Sequence, residues 1–261
     1  MTTDLSTDFA DAAGTALVVG GSGGLGAEIA RMLAARGSDV AVTYRGNKGA
    51  GEAVAAEVAG LGGRSSAHAL DVTAADSCAA VLAEVAATYG GLHTLVYASG
   101  PHVPMVHLSR VSPAEFAEQL TQDAAGFFNV AHPALPLLRE TKGSLVAVTT
   151  AATARFPVRD GLSSAPKGAV EQTVRALASE EGRFGVRVNA VGPGMLTDGM
   201  AARLIDSGEL DEKALEITRA NIPLRRFGNA TDIAEAVCFL ASDRAGFITG
   251  QKLDIDGGYT V

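Results

Sequence analysis

From Thr15 to the C-terminus the chain alternates short β-branched, apolar runs with longer Ala-rich segments, and this alternation is what most limits its fold. The runs Thr15–Gly20, Asp39–Tyr44, Ser65–Leu70, Leu92–Ala98, Ser144–Thr150, Val186–Val191 and Lys252–Asp256 read as seven strands. Leu17–Val19 and Leu145–Val148 are apolar without a polar partner at every second place, as parallel strands covered on both faces must be. Between them lie helical patterns. "LGAEIARMLAARG" ends at Gly37, and "SPAEFAEQL" opens with Ser112 as N-cap and Pro113 at the first position. Strict β–α alternation with right-handed crossovers predicts an α/β architecture: a doubly wound, seven-stranded parallel sheet with helices on both faces. Neither a linker nor a repeat interrupts it, so residues 14–261 read as one domain behind a flexible tail, residues 1–13.

The chain has 261 residues, 47% of them hydrophobic and 19% charged, enough for one large core. A net charge of −8 argues against nucleic acid or an anionic membrane as the main partner. Cys78 and Cys238 stand far apart, with neither metal spacing nor a disulfide pattern, and read as small buried side chains in a reducing compartment; no metal site is expected. The first fourteen residues carry three aspartates and no apolar core of a signal peptide, and no run is long enough to span a bilayer. A cytoplasmic protein is expected.

The turn after the first strand, "VVGGSGGLGAEIA", contains G-x-G-x-x-G at Gly21, Gly23 and Gly26. Alone the pattern is weak. Strand before and helix after, it reads as a dinucleotide turn in which glycines admit the pyrophosphate and N–H groups at the helix start bind it. About twenty residues on, where an NAD site places an acid on the ribose 2′-hydroxyl, the chain has "TYRGNKG". Tyr44 replaces the acid, and Arg45 can pair with a 2′-phosphate that a carboxylate would repel. NADPH (NADP+) is the expected cofactor; the alternative for Arg45 and Lys48 is ordinary solvated charge.

With these residues in place the chain resembles the short-chain dehydrogenase/reductase superfamily along essentially its whole length, which implies a Rossmann fold. "GGSGGLG" is similar to the family turn T-G-x-x-x-G-x-G, with Val19 in the threonine place, Gly20, Gly24 and Gly26 as its glycines, and Ser22 and Leu25 between them. "LDVT" puts Asp71 and Val72 where the family contacts adenine, and "YASG" puts Ala98, Ser99 and Gly100 in its N-N-A-G segment. "RVNAVGPGMLT" matches the stretch whose Pro193, Gly194 and Thr197 flank the nicotinamide.

The family's Asn-Ser-Tyr-Lys set is altered. Asp123 stands in the asparagine place, Thr150 in the serine place and Ser163 in the tyrosine place; Lys167 alone is retained, with a family role on the nicotinamide ribose. A ketone reductase protonates a nascent alkoxide, and tyrosine near a Lys⁺ suits that task far better than serine. Pro166 further suggests that the helix begins near Ser163 or Ser164, making Ser163 a cap more than an acid and putting Lys167 in a first turn whose dipole disfavours it. C=C reduction of an enoyl- or dienoyl-thioester does not need the phenol, since charge gathers on the thioester oxygen, where Thr150 can donate. The 2,4-dienoyl-CoA reductases resemble this set, including an aspartate that positions a protonating water; Asp123 matches it, with drift from asparagine as the alternative. Reduction of such a C=C bond with NADPH is therefore the leading expectation. A carbonyl (3-oxoacyl) reductase with a relocated proton donor, and a non-catalytic NADPH-binding protein, are the rivals.

His102 and His107, in the loop after the fourth strand, are further acid candidates. The resemblance makes about 195–227 the substrate lid. There Met195, Leu196 and Met200 would form an apolar wall, and Arg203, Arg225 and Arg226 would meet a CoA phosphate or solvent. It also implies a homotetramer or homodimer acting on a small-molecule acyl thioester.

Overall fold

The computed structural model describes residues 7–101, 103–197 and 212–261. His102, Met200 and Arg203 lie outside the described residues. Seven parallel strands form one sheet: β1 (Thr15–Val19), β2 (Val40–Tyr44), β3 (Ser65–Ala69), β4 (Leu92–Tyr97), β5 (Ser144–Val148), β6 (Arg187–Pro193) and β7 (Lys252–Ile255). All seven expected strands are present, in the order β3-β2-β1-β4-β5-β6-β7. The chain leaves β3 at one edge and returns on the far side of β1 as β4. The carboxyl ends of β1 and β4 therefore diverge, opening the crevice where such sheets bind ligands.

The period of two in β1 divides its side chains between two cores. Leu17 and Val19 join Leu95, Tyr97, Leu145 and Ala147 on one face, while Ala16 and Val18 join Val42, Val96, Val146 and Val191 on the other. Helices α3 (Ala75–Tyr89), α5 (Gly126–Thr141) and α6 (Gly161–Glu181) cover the first face. Helices α1 (Gly24–Ala35), α2 (Lys48–Ala59) and α8 (Ala230–Ala241) cover the second. Helix α4 (Pro113–Leu120) begins in a Ser112/Glu115 capping box, as its sequence promises, and α7 (Glu212–Ala220) precedes α8. Cys78 and Cys238 are free and buried.

The end of the expected tail departs from the prediction. Phe9 is buried and stacks on His93 at 5.8 Å, and its N–H donates to the Arg36 carbonyl. Asp8 pairs with Arg36 at 3.5 Å and with Arg244 at 2.9 Å. One aromatic side chain and one carboxylate, each with a tertiary partner, tie residues 7–13 to the domain. Polar composition alone does not reveal such partners.

Candidate active site

Helix α1 starts against the end of β1 more closely than any side chain would allow. A Cβ on Gly26 would lie 2.3 Å from the Gly20 carbonyl oxygen, and Gly20 itself takes φ +81°. The Gly20 N–H donates to Thr43 Oγ1 at 3.0 Å and the Ser22 N–H to the Thr43 carbonyl at 3.3 Å, which fastens the turn to β2. Gly23 is the N-cap and brings no side-chain acceptor, and no acid stands in the first turn. The N–H groups of Gly24, Leu25 and Gly26 have no acceptor among the described residues, and all three residues line a cavity of about 490 Å³ at the carboxyl end of the sheet. Unpaired donors at a helix start, approached over bare backbone, fit the pyrophosphate of a dinucleotide.

The same cavity is bounded by Ala98, Ser99 and Gly100 after β4, by Thr150 after β5, by Ser163 and Lys167 on α6, and by Pro193 and Gly194 after β6. Met195 and Leu196 form part of its wall. Tyr44, Arg45, Asp71 and Val72 lie beyond it, along the ends of β2 and β3. Arg45 is exposed and unobstructed by any acid on its own strand end. The Asp71 carboxylate accepts from the Thr73 N–H and hydroxyl, which hold its pKa below the usual value, with Arg45 adding to the effect. Thr197 is exposed and its hydroxyl donates to the Gly228 carbonyl at 3.3 Å, so the structure does not bring it into the cavity.

The polar centre is an ion pair. Lys167 Nζ lies 2.8 Å from Asp123 Oδ1 and also donates to the Ser99 carbonyl at 3.4 Å. Asp123 is buried in a π-helical turn, Thr121–Ala125, that joins α4 to α5. Such a bulge re-aims one side chain out of the α-helical pattern. The Asp123 carbonyl in turn accepts from the Tyr97 hydroxyl at 3.3 Å. Tyr97 is a fully buried phenol whose pKa is driven upward by burial and by the Asp123 charge, so it is no proton source. Thr150 Oγ1 accepts from the Ala152 N–H at 3.2 Å, and its own O–H has no acceptor among the described residues. The turn carrying it is braced by Thr153, which bonds Glu171, itself 3.2 Å from Lys252.

Two expectations for α6 need correction. The helix begins at Gly161 with Asp160 as N-cap, so Ser163 is not the cap. Pro166 is accommodated within the helix at the loss of one backbone hydrogen bond. Lys167 therefore stands beyond the first turn, and its placement reflects the Asp123 carboxylate rather than resistance to a helix dipole. Outside the site, His107 is exposed and does not line the cavity. Arg226 is engaged by Asp232 at 3.0 Å, and Arg225 bonds the Ala220 carbonyl. Asp160, Tyr259 and Asn221 line the cavity although sequence reasoning did not select them. An aspartate just before a helix reads as a cap, which hid Asp160; nothing local marks Tyr259 or Asn221.

Comparison with known proteins agrees with the fold. Residues 20–260 match a family model described as enoyl-(acyl carrier protein) reductase. The chain is 37% identical over 245 residues to the 3-oxoacyl-(acyl-carrier-protein) reductase FabG of Staphylococcus aureus, covering 94% of this chain and 97% of that one. It is 32% identical to versicolorin reductase 1 of Aspergillus parasiticus, covering 93% and 95%. A short-chain dehydrogenase from Burkholderia cenocepacia, solved in complex with NADP, superimposes with a TM-score of 0.87 at 29% identity, covering 99% of this chain and all of that one. A short-chain dehydrogenase/reductase from Mycobacterium ulcerans gives 0.89 at 27% identity, covering 95% and 90%. The family description names an olefin reduction, but the relatives at 35–37% identity are named for a 3-oxo group. That overturns the expectation of C=C reduction.

Proposed function

Because the chain belongs to the short-chain dehydrogenase/reductase superfamily, we propose that it is an NADPH-dependent reductase of carbonyl groups, acting on a 3-oxoacyl thioester or a related ketone and, in reverse, on the alcohol. The observation that carries this reading is one cavity that joins a dinucleotide cradle to a hydroxyl and an ammonium group: Gly24–Gly26 at one end, Thr150 and Lys167 at the other. NADPH, when bound, supplies the hydride. Arg45, with no carboxylate beside it on β2, is the residue to meet the 2′-phosphate, and the unpaired N–H groups of α1 meet the pyrophosphate. Lys167, held from behind by Asp123 and Ser99, keeps its remaining donor capacity toward the nicotinamide ribose. Thr150 donates to the substrate oxygen as charge develops there, a contact that strengthens toward the transition state. Val103, Met105 and Ile222 give the apolar wall an acyl chain would follow.

The test is loss of NADPH absorbance with a matched panel of 3-oxoacyl and enoyl thioesters. Turnover of the 3-oxo members is the expected result. Consumption with the enoyl members alone, or with neither, would remove this reading.

A further inference from the structure

A carbonyl reductase needs an acid for the oxygen, and the residue in the tyrosine place is a serine. Resting on the carbonyl-reducing reading, we propose that Asp160 is the proton donor. Asp160 lies three residues before Ser163, close to one helical turn away on the same side of α6, and lines the same cavity as Ser163, Thr150 and Lys167. It occupies the N-cap, yet its carboxylate caps nothing. The Ser163 and Ser164 N–H groups, both at 3.0 Å, and the Ser164 hydroxyl at 3.1 Å, all bond its backbone carbonyl instead. An aspartate in that place normally turns its side chain onto the helix N–H groups.

No cation among the described residues claims the carboxyl. Lys167 on α6 is paired with Asp123 of the π turn. Arg155 bonds the Tyr259 carbonyl at 2.6 Å and stacks on the Tyr259 ring. Arg159 is exposed on the preceding turn, and Arg219 of α7 stacks on Phe227. Among the described residues, the remaining ionisable group on the cavity wall is the Tyr259 phenol. Burial without compensation pushes the Asp160 carboxyl up to about 6, so a useful fraction is protonated near neutrality, which a serine hydroxyl cannot match as a donor.

The step balances. The C=O π bond breaks, a C–H bond forms with the hydride from NADPH, and an O–H bond forms as the Asp160 O–H breaks. NADP+, the alcohol and the Asp160 carboxylate result, and the carboxylate regains its proton from solvent. Because the acid form works, ketone reduction falls as pH rises through about 6. Alcohol oxidation, which needs the carboxylate as base, rises through the same point.

The test compares wild type, Asp160→Asn, Asp160→Glu and Tyr259→Phe. The readouts are kcat/KM against pH with a 3-oxoacyl thioester, NADPH affinity by fluorescence, and 13C titration of aspartate carboxyls in the cofactor-free protein. Asp160→Asn is expected to lose roughly 10²- to 10⁴-fold in kcat/KM and its acid-dependent limb, with NADPH affinity unchanged and the melting temperature at neutral pH no lower. A carboxyl resonance titrating near 6 disappears in the same variant. Asp160→Glu keeps the limb at a lower rate, and remains informative if the Asn variant does not fold. The proposal is overturned if Asp160→Asn keeps wild-type rate and limb, if the limb follows Tyr259→Phe, or if the carboxyl titrates near its ordinary 3.8. In those cases carbonyl reduction by the wild type still stands. A wild type that binds NADPH but reduces no carbonyl compound would remove both.

Discussion

At the scale of single residues, two buried polar groups set how this protein responds to its surroundings. His93 sits beneath Phe9, bonded through its ring to Ser38 and Thr94, and burial lowers its pKa to about 4. An unfolded histidine titrates near 6.5, so between those values the unfolded chain holds the extra proton. Stability is therefore present above about pH 6.5 and is lost as pH falls toward 4, by about 3 kcal/mol in all. Urea midpoints at pH 7 and pH 5 should show the drop, and His93→Gln should flatten it. The second group is the Lys167–Asp123 pair. Lys167→Met strands the Asp123 carboxylate in the interior and should cost about 3–5 kcal/mol in stability as well as cofactor affinity. Adding Asp123→Leu should restore most of the stability and none of the affinity, which thermal melts and NADPH titration would separate.

At the scale of elements, the angle of α1 against β1 and β2 controls the cofactor cradle. Gly26→Ala places its methyl within 2.3 Å of a backbone oxygen that no rotamer change can move. Overpacking of about 1–3 kcal/mol must shift the helix start, and NADPH should bind roughly 5- to 150-fold more weakly by fluorescence titration. Gly23→Ala, whose Cβ would meet nothing closer than 3.4 Å, should bind nearer to wild type. Helix α8 depends on a distant strand residue for its end: Arg187 of β6 donates to the Leu240, Ala241 and Ser242 carbonyls. Arg187→Met should cost about 1–3 kcal/mol by leaving those acceptors unpaired, measurable as a lowered urea midpoint without a change in the cofactor constant.

At the scale of the whole molecule, large apolar side chains remain uncovered around edge strand β7: Phe247 is fully exposed, Val261 nearly so, and Leu253 partly. We expect a homo-oligomer, detectable by light scattering on a sizing column, that Phe247→Glu weakens; a wild-type monomer at micromolar concentration would contradict this. No helix among the described residues is long and apolar enough to cross a membrane. The sheet, its seven strands and the glycine turn were legible from the chain because each depends on local pattern. Apolar runs without alternation must be buried on both faces, and Gly20 and Gly26 sit where backbone meets backbone. The same local pattern put the glycines of the turn against the cavity. The reaction half of the cavity was not legible in that way. That Asp123 meets Lys167, that Asp160 and not Ser163 is the N-cap of α6, and which acid faces the cavity unpaired depend on contacts between residues as far as 44 positions apart. Desolvation and pairing, which decide the charge and proton content of such groups, are properties of the folded neighbourhood and have no counterpart in the order of residues along the chain.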